Sequence, residues 1–160
     1  MGVPHADIER LYEQLGPVLL AYARSIVQDL AEAEDALQHV FLKLMASGSA
    51  LPDEPRPYLF RAVRNTCLNR RRSEARERVW RSERPMFIAP AGLDALATDL
   101  EAALRDLPEE QREVVVLRVW GEMTLSEAAQ VLAVPLNTAA SRYRYAVAKL
   151  RQRFGAHLRS

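Results

Sequence analysis

Apolar residues recur at three- and four-residue intervals along most of the chain, and this spacing constrains the fold more than any other feature of the sequence. Near the N-terminus the series runs Leu11, Leu15, Val18, Tyr22 and Ile26. Residues spaced in this way form one apolar stripe along an α-helix. No segment alternates apolar and polar residues for long, and the sequence lacks the Asn-Gly and Asp-Gly pairs typical of hairpins. The sequence therefore predicts an all-α fold.

Three helices are predicted in the first half of the chain, and together they form a first small domain over residues 1–78. The first helix covers residues 7–27, with a kink or break just before Pro17, which lacks an amide hydrogen. The second helix covers residues 31–45. The third is predicted to begin near Pro57, because proline suits the first position of a helix.

The periodicity is lost over residues 79–98, where prolines and a glycine interrupt the sequence, and we interpret this segment as a linker. A second small domain then covers residues 99–160. It opens with a short helix over residues 100–107, followed by a helix that starts at Pro108 and ends at Gly121. The sequence contains no internal repeat, so the two domains are expected to differ in structure.

A helix-turn-helix is predicted near the C-terminus. Thr124 and Glu127 form a T-x-x-E capping box, which starts a helix that must be short because Pro135 follows. The second helix is predicted to start after Asn137 or Thr138, either of which can cap it. Two helices of a larger bundle with solvated arginines would show the same pattern. In the DNA-binding interpretation, the outer face of the second helix meets phosphates and base edges in a major groove through Ser141, Arg142, Arg144 and Tyr145.

The net charge of +1 conceals two basic segments. Residues 57–78 contain seven arginines against two acidic residues, and residues 124–160 contain six basic residues against one. Each segment therefore carries +5, and the rest of the chain, with nine basic and eighteen acidic residues, carries −9. Charge runs are commonly solvated helix faces, but two such segments in a near-neutral protein indicate two surfaces that bind a polyanion.

Several classes of protein are excluded by the composition. No apolar run approaches the roughly 20 residues needed to cross a bilayer, and the first ten residues do not suit export, so we expect a cytoplasmic protein. Cys67 is the sole cysteine and cannot form an internal disulfide, while His5, His39 and His157 are too scattered for a metal site. Neither a nucleophile-base pattern nor a phosphate-binding glycine loop is present, so we expect no catalysis, metal or cofactor.

The C-terminal motif resembles a known family. Residues 107–114 (LPEEQREV), 125–129 (LSEAA) and 135–142 (PLNTAASR) closely resemble region four of the bacterial extracytoplasmic-function (ECF) sigma factors, which belong to the sigma-70 family. In that family this domain recognises the minus-thirty-five promoter element. The resemblance implies DNA contacts by Asn137, Thr138, Ser141, Arg142 and Arg144, and the residue types on the outer face of the helix add Tyr145.

Two positions depart from the family pattern. Ala140 stands where the family usually has a basic residue, so the preferred DNA sequence is expected to differ from that of familiar members. Ala133 replaces the usual glycine of the turn, which costs up to about 1 kcal/mol if the turn requires a positive φ.

Residues 33–42 (AEDALQHVFL) resemble region two of the same family, and the resemblance extends over most of residues 7–78. In the family this helix docks on the clamp helices of RNA polymerase. On the helix, Asp35, Gln38, His39 and Leu42 share the face opposite the core stripe, and Phe41 lies at its margin. The resemblance predicts that these five residues form a polymerase-binding surface with an apolar centre and polar anchors. His39 stands where relatives commonly have an acidic residue.

The third helix resembles the part of region two that captures the melted minus-ten element. Arginines neutralise phosphates, asparagines hydrogen-bond base edges, and Tyr58 or Phe60 could stack on a flipped base, although both aromatics could equally belong to the core. The preceding loop, residues 47–56, is too rich in proline for the family's base preference to be transferred. The predicted minus-ten contacts are Tyr58, Arg61, Arg64, Asn65, Asn69, Arg71 and Arg72.

Together these resemblances imply an ECF sigma factor, which binds core RNA polymerase, promoter DNA and commonly an anti-sigma protein. Two alternatives share part of the evidence. An autonomous helix-turn-helix regulator would bind an operator without polymerase, and a helical adaptor would bind proteins alone. Because acidic residues elsewhere in the chain repel DNA, the sigma-factor interpretation predicts weak promoter binding by the free chain and strong binding with polymerase.

Overall fold

The computed structural model describes residues 4–48, 50–74 and 94–158. Every regular element in these residues is helical, which confirms the predicted all-α class. The chain divides into two compact units, one within residues 1–84 and the other within residues 85–160.

The first unit is a three-helix bundle of α1 (His5–Val27), α2 (Leu30–Ala46) and α3 (Pro55–Glu74), each packed against the other two. The predicted apolar stripes meet in its core, which includes Leu15, Leu19, Tyr22, Ile26, Ala33, Leu37, Val40, Leu59, Phe60, Val63 and Cys67. Burial of such stripes contributes more stability to a bundle than the helix propensity of its residues.

The helix boundaries of the first unit differ in places from the sequence prediction. α1 continues through Pro17 without a break, because the proline lies on the exposed side while the apolar stripe stays packed. α3 begins at Pro55 rather than near Pro57, and Pro55 takes the first helical position. Asp29 caps α2 by accepting a hydrogen bond from the backbone N–H of Glu32 at 3.1 Å, a role that the sequence analysis did not assign.

The second unit contains α4 (Asp94–Asp106), α5 (Glu109–Val115), α6 (Leu125–Leu132) and α7 (Leu136–Leu158), and a π-helical turn (Val116–Trp120) continues α5. α7 packs against the other three helices. One core cluster of this unit consists of Leu104, Leu107, Val115 and Ala146, with Leu100, Trp120, Tyr143 and Leu150 packed around it.

The predicted linker is only partly described by the structure. α4 begins at Asp94, so residues 94–98 are helical rather than part of a linker. The apolar period used for the prediction starts only at Leu100, six residues after the helix begins. The rest of the predicted linker, residues 79–93, lies outside the described residues.

A buried arginine joins α4 to α5. The Arg112 guanidinium donates hydrogen bonds to the backbone carbonyls of Leu104, Arg105 and Leu107 at 3.0, 3.2 and 3.1 Å. Leu104 and Arg105 lie in the last turn of α4 and Leu107 follows its end, a region where helix carbonyls lack the usual N–H partner four residues later; the Leu104 carbonyl also accepts the N–H of Leu107 at 3.2 Å. Arg112 is only 7% exposed, so the bonds are sheltered from water and fix the angle between the two helices.

Gly121 ends the π-helical turn, at the position where the sequence predicted the helix to end. Its N–H donates to the Val116 carbonyl at 2.9 Å, five residues earlier. A Cβ on Gly121 would lie 2.5 Å from the Leu117 carbonyl oxygen, much closer than a side chain tolerates. The absence of a side chain at Gly121 therefore permits the close turn that leads to α6.

Candidate nucleic-acid interface

The predicted capping box starts α6. The backbone N–H of Glu127 donates to Thr124 Oγ1 at 3.1 Å, and the backbone N–H of Thr124 donates to Glu127 Oε1 at 3.3 Å. The two bonds satisfy N–H groups that have no partner within the helix. α6 then buries Ala128, Ala129 and Leu132, and the small alanines allow α7 to approach closely.

Ala133 forms the turn between α6 and α7 in the left-handed conformation, with φ 55° and ψ 46°. Its N–H donates to the Gln130 carbonyl at 3.3 Å, while the N–H of Val134 donates to the Ala129 carbonyl at 3.0 Å. This bonding pattern is the usual helix ending in which glycine is preferred. The positive φ on which the expected strain at Ala133 depended is therefore present.

α7 begins two or three residues earlier than the sequence predicted. Its first residue is Leu136, so Asn137 and Thr138 lie within the first turn and do not cap it. The carbonyl of Pro135 accepts hydrogen bonds from the N–H groups of Thr138 and Ala139 at 3.0 and 3.1 Å. Proline can open the helix in this way because its carbonyl is free to accept, although it has no N–H.

The residues of α7 predicted to contact DNA divide into two groups by their exposure. Asn137, Arg144 and Tyr145 are exposed, and the Arg144 guanidinium carbon lies 5.5 Å from the centre of the Tyr145 ring, within the range of a cation–π contact. Thr138, Ser141 and Arg142 are half-buried. Arg142 lies next to α5, where its Nη2 is 3.8 Å from Glu110 Oε2.

In the first unit, a groove of about 700 Å³ lies between α2 and α3. We call it the polar groove, and its polar lining consists of His39 and Lys43 from α2, Ser47 directly after α2, and Tyr58, Arg61, Asn65, Thr66, Asn69 and Arg70 from α3. Four predicted minus-ten residues, Tyr58, Arg61, Asn65 and Asn69, are thus brought together. Among the described residues of this lining none is acidic, so the groove suits an anionic strand.

The remaining minus-ten candidates lie elsewhere. Arg64 and Arg71 are half-buried and do not line the polar groove, and the side chain of Arg72 lies outside the described residues. Phe60 is fully buried, with its ring 5.4 Å from that of Tyr22, so the idea that it stacks on a base is wrong. Tyr58, by contrast, is 45% exposed and available for stacking.

A second groove, of about 420 Å³, lies between α1 and α2. We call it the apolar groove, and it is lined by Ile8, Glu9, Tyr12, Glu13, Gln38, Phe41, Leu42 and Met45. Leu42 is 64% exposed and Met45 41%. Phe41 is only 5% exposed, and its ring meets that of Tyr12 edge to face at 5.1 Å, so it supports the floor of the groove.

The predicted polymerase-binding face is divided between these two grooves. Gln38, Phe41 and Leu42 line the apolar groove, whereas His39 lines the polar groove. Asp35 also faces α3, since its Oδ2 lies 3.9 Å from Arg70 Nη1. The sequence analysis placed Asp35, Gln38, His39 and Leu42 on one face with Phe41 at its margin, because helical spacing shows which residues are neighbours but not which helix packs beside them.

Sequence reasoning also missed residues in both grooves. Lys43 on α2 and Ser47, the residue that follows α2, continue from His39 at four-residue spacing, and the sequence shows this spacing. Tyr12 and Met45 line the apolar groove from two different helices, and no local pattern connects them.

In the part of the chain that the structure describes, no helix combines the length and the apolar character needed to cross a membrane. The same residues contain no group of three or more histidine, cysteine, aspartate or glutamate side chains arranged to hold a metal ion.

Comparisons with known proteins define the class. The family model for Sigma-70 region 2 matches residues 11–77 of this chain, and the family model for Sigma-70, region 4 matches residues 103–152. The ECF RNA polymerase sigma factor SigL of Mycobacterium tuberculosis is 31% identical, over 91% of this chain and 88% of its own length. The RNA polymerase sigma-E factor of Streptomyces coelicolor is 30% identical, over 84% of this chain and 78% of its own length. The chain therefore belongs to the ECF sigma factors of the sigma-70 family, which confirms the resemblance found in its motifs.

Solved structures agree with this assignment. The sigma factor RpoE of Bartonella quintana, crystallised with the anti-sigma factor NepR, matches with a TM-score of 0.76 and 25% identity, over 93% of this chain and 97% of that one. CnrH in complex with the cytosolic domain of CnrY matches with a TM-score of 0.68 and 25% identity, over 96% of this chain and 90% of the CnrH chain.

Proposed function

We propose that this sigma factor acts in the cytoplasm by binding core RNA polymerase and promoter DNA, without catalysis of its own. In this proposal the first unit holds the polymerase and the melted minus-ten strand, and the second unit reads the minus-thirty-five duplex. The observation that carries the proposal is the polar groove, which combines cations, amides and an exposed aromatic ring between two helices.

The side chains of the polar groove suit a single strand. The exposed ring of Tyr58 offers a stacking surface, the amides of Asn65 and Asn69 can bond base edges, and Arg61 can bind phosphate. The groove volume of about 700 Å³ lies within the range of roughly 300–1,000 Å³ typical of ligand sites. In a duplex the ring faces of the bases are stacked and their Watson–Crick edges are paired, so stacking on Tyr58 and bonding to the two amides favour a strand that is already open.

α7 suits the major groove of a duplex instead. Asn137, Arg144 and Tyr145 lie exposed on a single helix, and asparagine and arginine are the side chains that most often read adenine and guanine there. α6 packs against α7, and the turn at Ala133 connects the two helices. This arrangement supports recognition of the minus-thirty-five element.

The apolar groove is the proposed polymerase-binding surface. The exposed side chains of Leu42 and Met45 provide an apolar centre, and Gln38, Glu9 and Glu13 provide a polar margin. A partner helix would bury the apolar centre and leave the margin partly solvated, as in other protein interfaces.

An anti-sigma protein is a further proposed partner. The sigma factor RpoE of Bartonella quintana was solved with the anti-sigma factor NepR, and CnrH was solved with the cytosolic domain of CnrY. Because the present chain shares the fold of both, we expect a protein of similar kind to cover its polymerase-binding or DNA-binding surfaces.

Transcription from a random promoter library tests the proposal directly. Core polymerase supplemented with this chain should transcribe a subset of templates that share two spaced sequence elements, whereas core polymerase alone should not. Transcripts that show no enriched element would contradict the proposal. Tight sequence-specific DNA binding by the chain without polymerase would favour an autonomous regulator instead.

A further inference from the structure

We propose that α2 takes part in DNA binding as well as in polymerase binding, and that His39 and Lys43 contact the melted strand directly. This inference rests on the proposed function of the polar groove. It moves His39 from the polymerase-binding surface to the DNA-binding surface, and it gives Lys43 a role that the sequence motifs did not indicate.

The first argument is geometric. α2 forms one wall of both grooves, with Gln38, Leu42 and Met45 lining the apolar groove and His39 and Lys43 lining the polar groove. Side chains four residues apart lie on the same face of a helix, so His39 and Lys43 are neighbours along the polar groove.

Asp35 extends this row by one more turn and shows which helix the row faces. Its carboxylate lies 3.9 Å from the guanidinium of Arg70 on α3. The face of α2 that carries Asp35, His39 and Lys43 is therefore turned toward α3, where the predicted minus-ten residues lie, and away from the apolar groove.

The second argument is electrostatic. Lys43 on α2 and Arg61 on α3 line the same groove from opposite walls, and the described lining residues include no acidic side chain. A phosphate backbone in the groove would meet positive charge from both helices. A lysine ammonium binds phosphate as a compact point charge, without the fixed geometry that arginine requires.

His39 has a different task in this arrangement. It is exposed, lines the same groove as Asn65 and Asn69, and offers both a hydrogen-bond donor and an acceptor in its neutral form. An imidazole in this position can bond a base edge across the groove from the two amides. We therefore assign a phosphate contact to Lys43 and a base contact to His39.

The test uses holoenzyme made from core polymerase and the full chain. The probe is the strongest promoter recovered from the library, prepared with the non-template strand unpaired across the minus-ten element. The variants are Lys43→Gln, Lys43→Arg and His39→Ala. The matched control is Arg10→Gln, which removes a positive charge from an exposed site in the same unit that lines neither groove.

Lys43→Gln should weaken probe binding roughly fivefold at 0.1 M salt and lower the slope of log affinity against log salt by roughly 0.7, the change expected for one lost phosphate contact on a single strand. Lys43→Arg should restore most of the binding. His39→Ala should weaken probe binding about threefold or more, as expected for one lost hydrogen bond. Both His39→Ala and Lys43→Gln should bind core polymerase as the unaltered chain does.

Failure of this inference can be separated from failure of the proposed function. If the unaltered chain binds no polymerase and selects no promoter, both are overturned. If the unaltered holoenzyme binds its promoter but Lys43→Gln behaves like Arg10→Gln, only the inference is overturned. If His39→Ala loses polymerase affinity while probe binding by the assembled holoenzyme is unchanged, His39 belongs to the polymerase-binding surface and its assignment here is wrong.

Discussion

The two units of this sigma factor present their DNA-binding residues in opposite ways. In the first unit the residues line a groove between α2 and α3, so the site exists only when two helices are packed together. In the second unit Asn137, Arg144 and Tyr145 are exposed on one helix, and the site exists wherever that helix is formed and held. The groove suits a flexible single strand, whereas the convex helix suits the preformed major groove of a duplex. The DNA-binding site of the first unit therefore depends on the packing of α2 against α3, whereas that of the second unit depends on α7 being held in place.

Substitution of Arg112 should have the largest effect on stability, and we expect the loss to be confined to the second unit. Arg112→Ala removes three hydrogen bonds to sheltered carbonyls, of which only that of Leu104 keeps another donor, the N–H of Leu107, so we expect the second unit to lose about 3 kcal/mol of stability. Hydrogen exchange on the full chain measures this, since the amides of α5 to α7 should lose protection while those of α1 to α3 keep theirs. The control is Arg105→Ala, which breaks a surface ion pair with Glu101 and should cost less than about 1 kcal/mol. Equal loss of protection in both units would show that they unfold together.

The second test concerns the close turn at Gly121. Gly121→Ala forces a Cβ against the Leu117 carbonyl, and overpacking of this kind costs about 1–3 kcal/mol. Thermal unfolding of the full chain should show the loss. Gly155→Ala provides the control, because a Cβ there meets nothing within 4 Å inside α7 and should raise stability by up to about 1 kcal/mol. If the two substitutions shifted the midpoint equally, the turn would not depend on glycine.

The third test asks whether the apolar groove binds polymerase independently of the DNA-binding site. Leu42→Ala removes an exposed apolar side chain from the centre of this surface, and we expect polymerase affinity to fall by about 1–2 kcal/mol. Binding is measured by titrating labelled core polymerase in the absence of DNA. Glu34→Ala, exposed on the same helix but outside both grooves, should leave the affinity unchanged. Unchanged affinity in the Leu42 variant would remove the apolar groove from the proposed interface.

The fourth test compares duplex binding with single-strand binding. Arg144→Gln should weaken holoenzyme binding to a duplex minus-thirty-five element roughly eightfold at 0.1 M salt, with a fall in salt slope of roughly 0.9, since duplex DNA releases more counterions per contact than a single strand does. Electrophoretic shift at several salt concentrations gives the slope. Arg153→Gln is the control, because Arg153 is already bonded to Asp106 at the far end of α7. A slope change of the same size in both variants would indicate general charge rather than a specific contact.

The smallest expected effect is a gain in stability at Ala133. Ala133→Gly relieves the left-handed conformation in the turn, and after allowance for the flexibility of glycine in the unfolded chain we expect a gain of about 0.5–1 kcal/mol. Chemical denaturation of the full chain measures the change. Ala148→Gly, at an exposed position within α7, should lose about 1 kcal/mol instead. A loss in both variants would mean that the turn is not strained.

Much of the fold was predictable because the spacing and capping signals of a helix lie in residues that are close together in the sequence. The spacing of Leu11 to Ile26 located α1, and Thr124 with Glu127 located the start of α6. The errors arose where the deciding factor was not local. Pro17 does not break α1, since packing of the opposite face holds the helix together, and α4 begins before its apolar period does.

The candidate site was predictable in part. Tyr58, Arg61, Asn65 and Asn69 were identified from one helix and do line one groove. The division of Asp35, Gln38, His39, Phe41 and Leu42 was not predictable, because it depends on α1 and α3 lying on different sides of α2. The same is true of Arg112, whose three carbonyl partners become neighbours only after α4 and α5 have packed.

The sequence by itself determined the helices, the capping box at Thr124, the basic segments and the family, because each of these depends on residues close together in the chain or on a motif of fixed spacing. The tertiary structure alone decided which side of α2 faces which groove, that Phe60 is buried, and that Arg112 joins two helices. Helical periodicity sorts side chains into faces, whereas only packing between helices decides what each face meets.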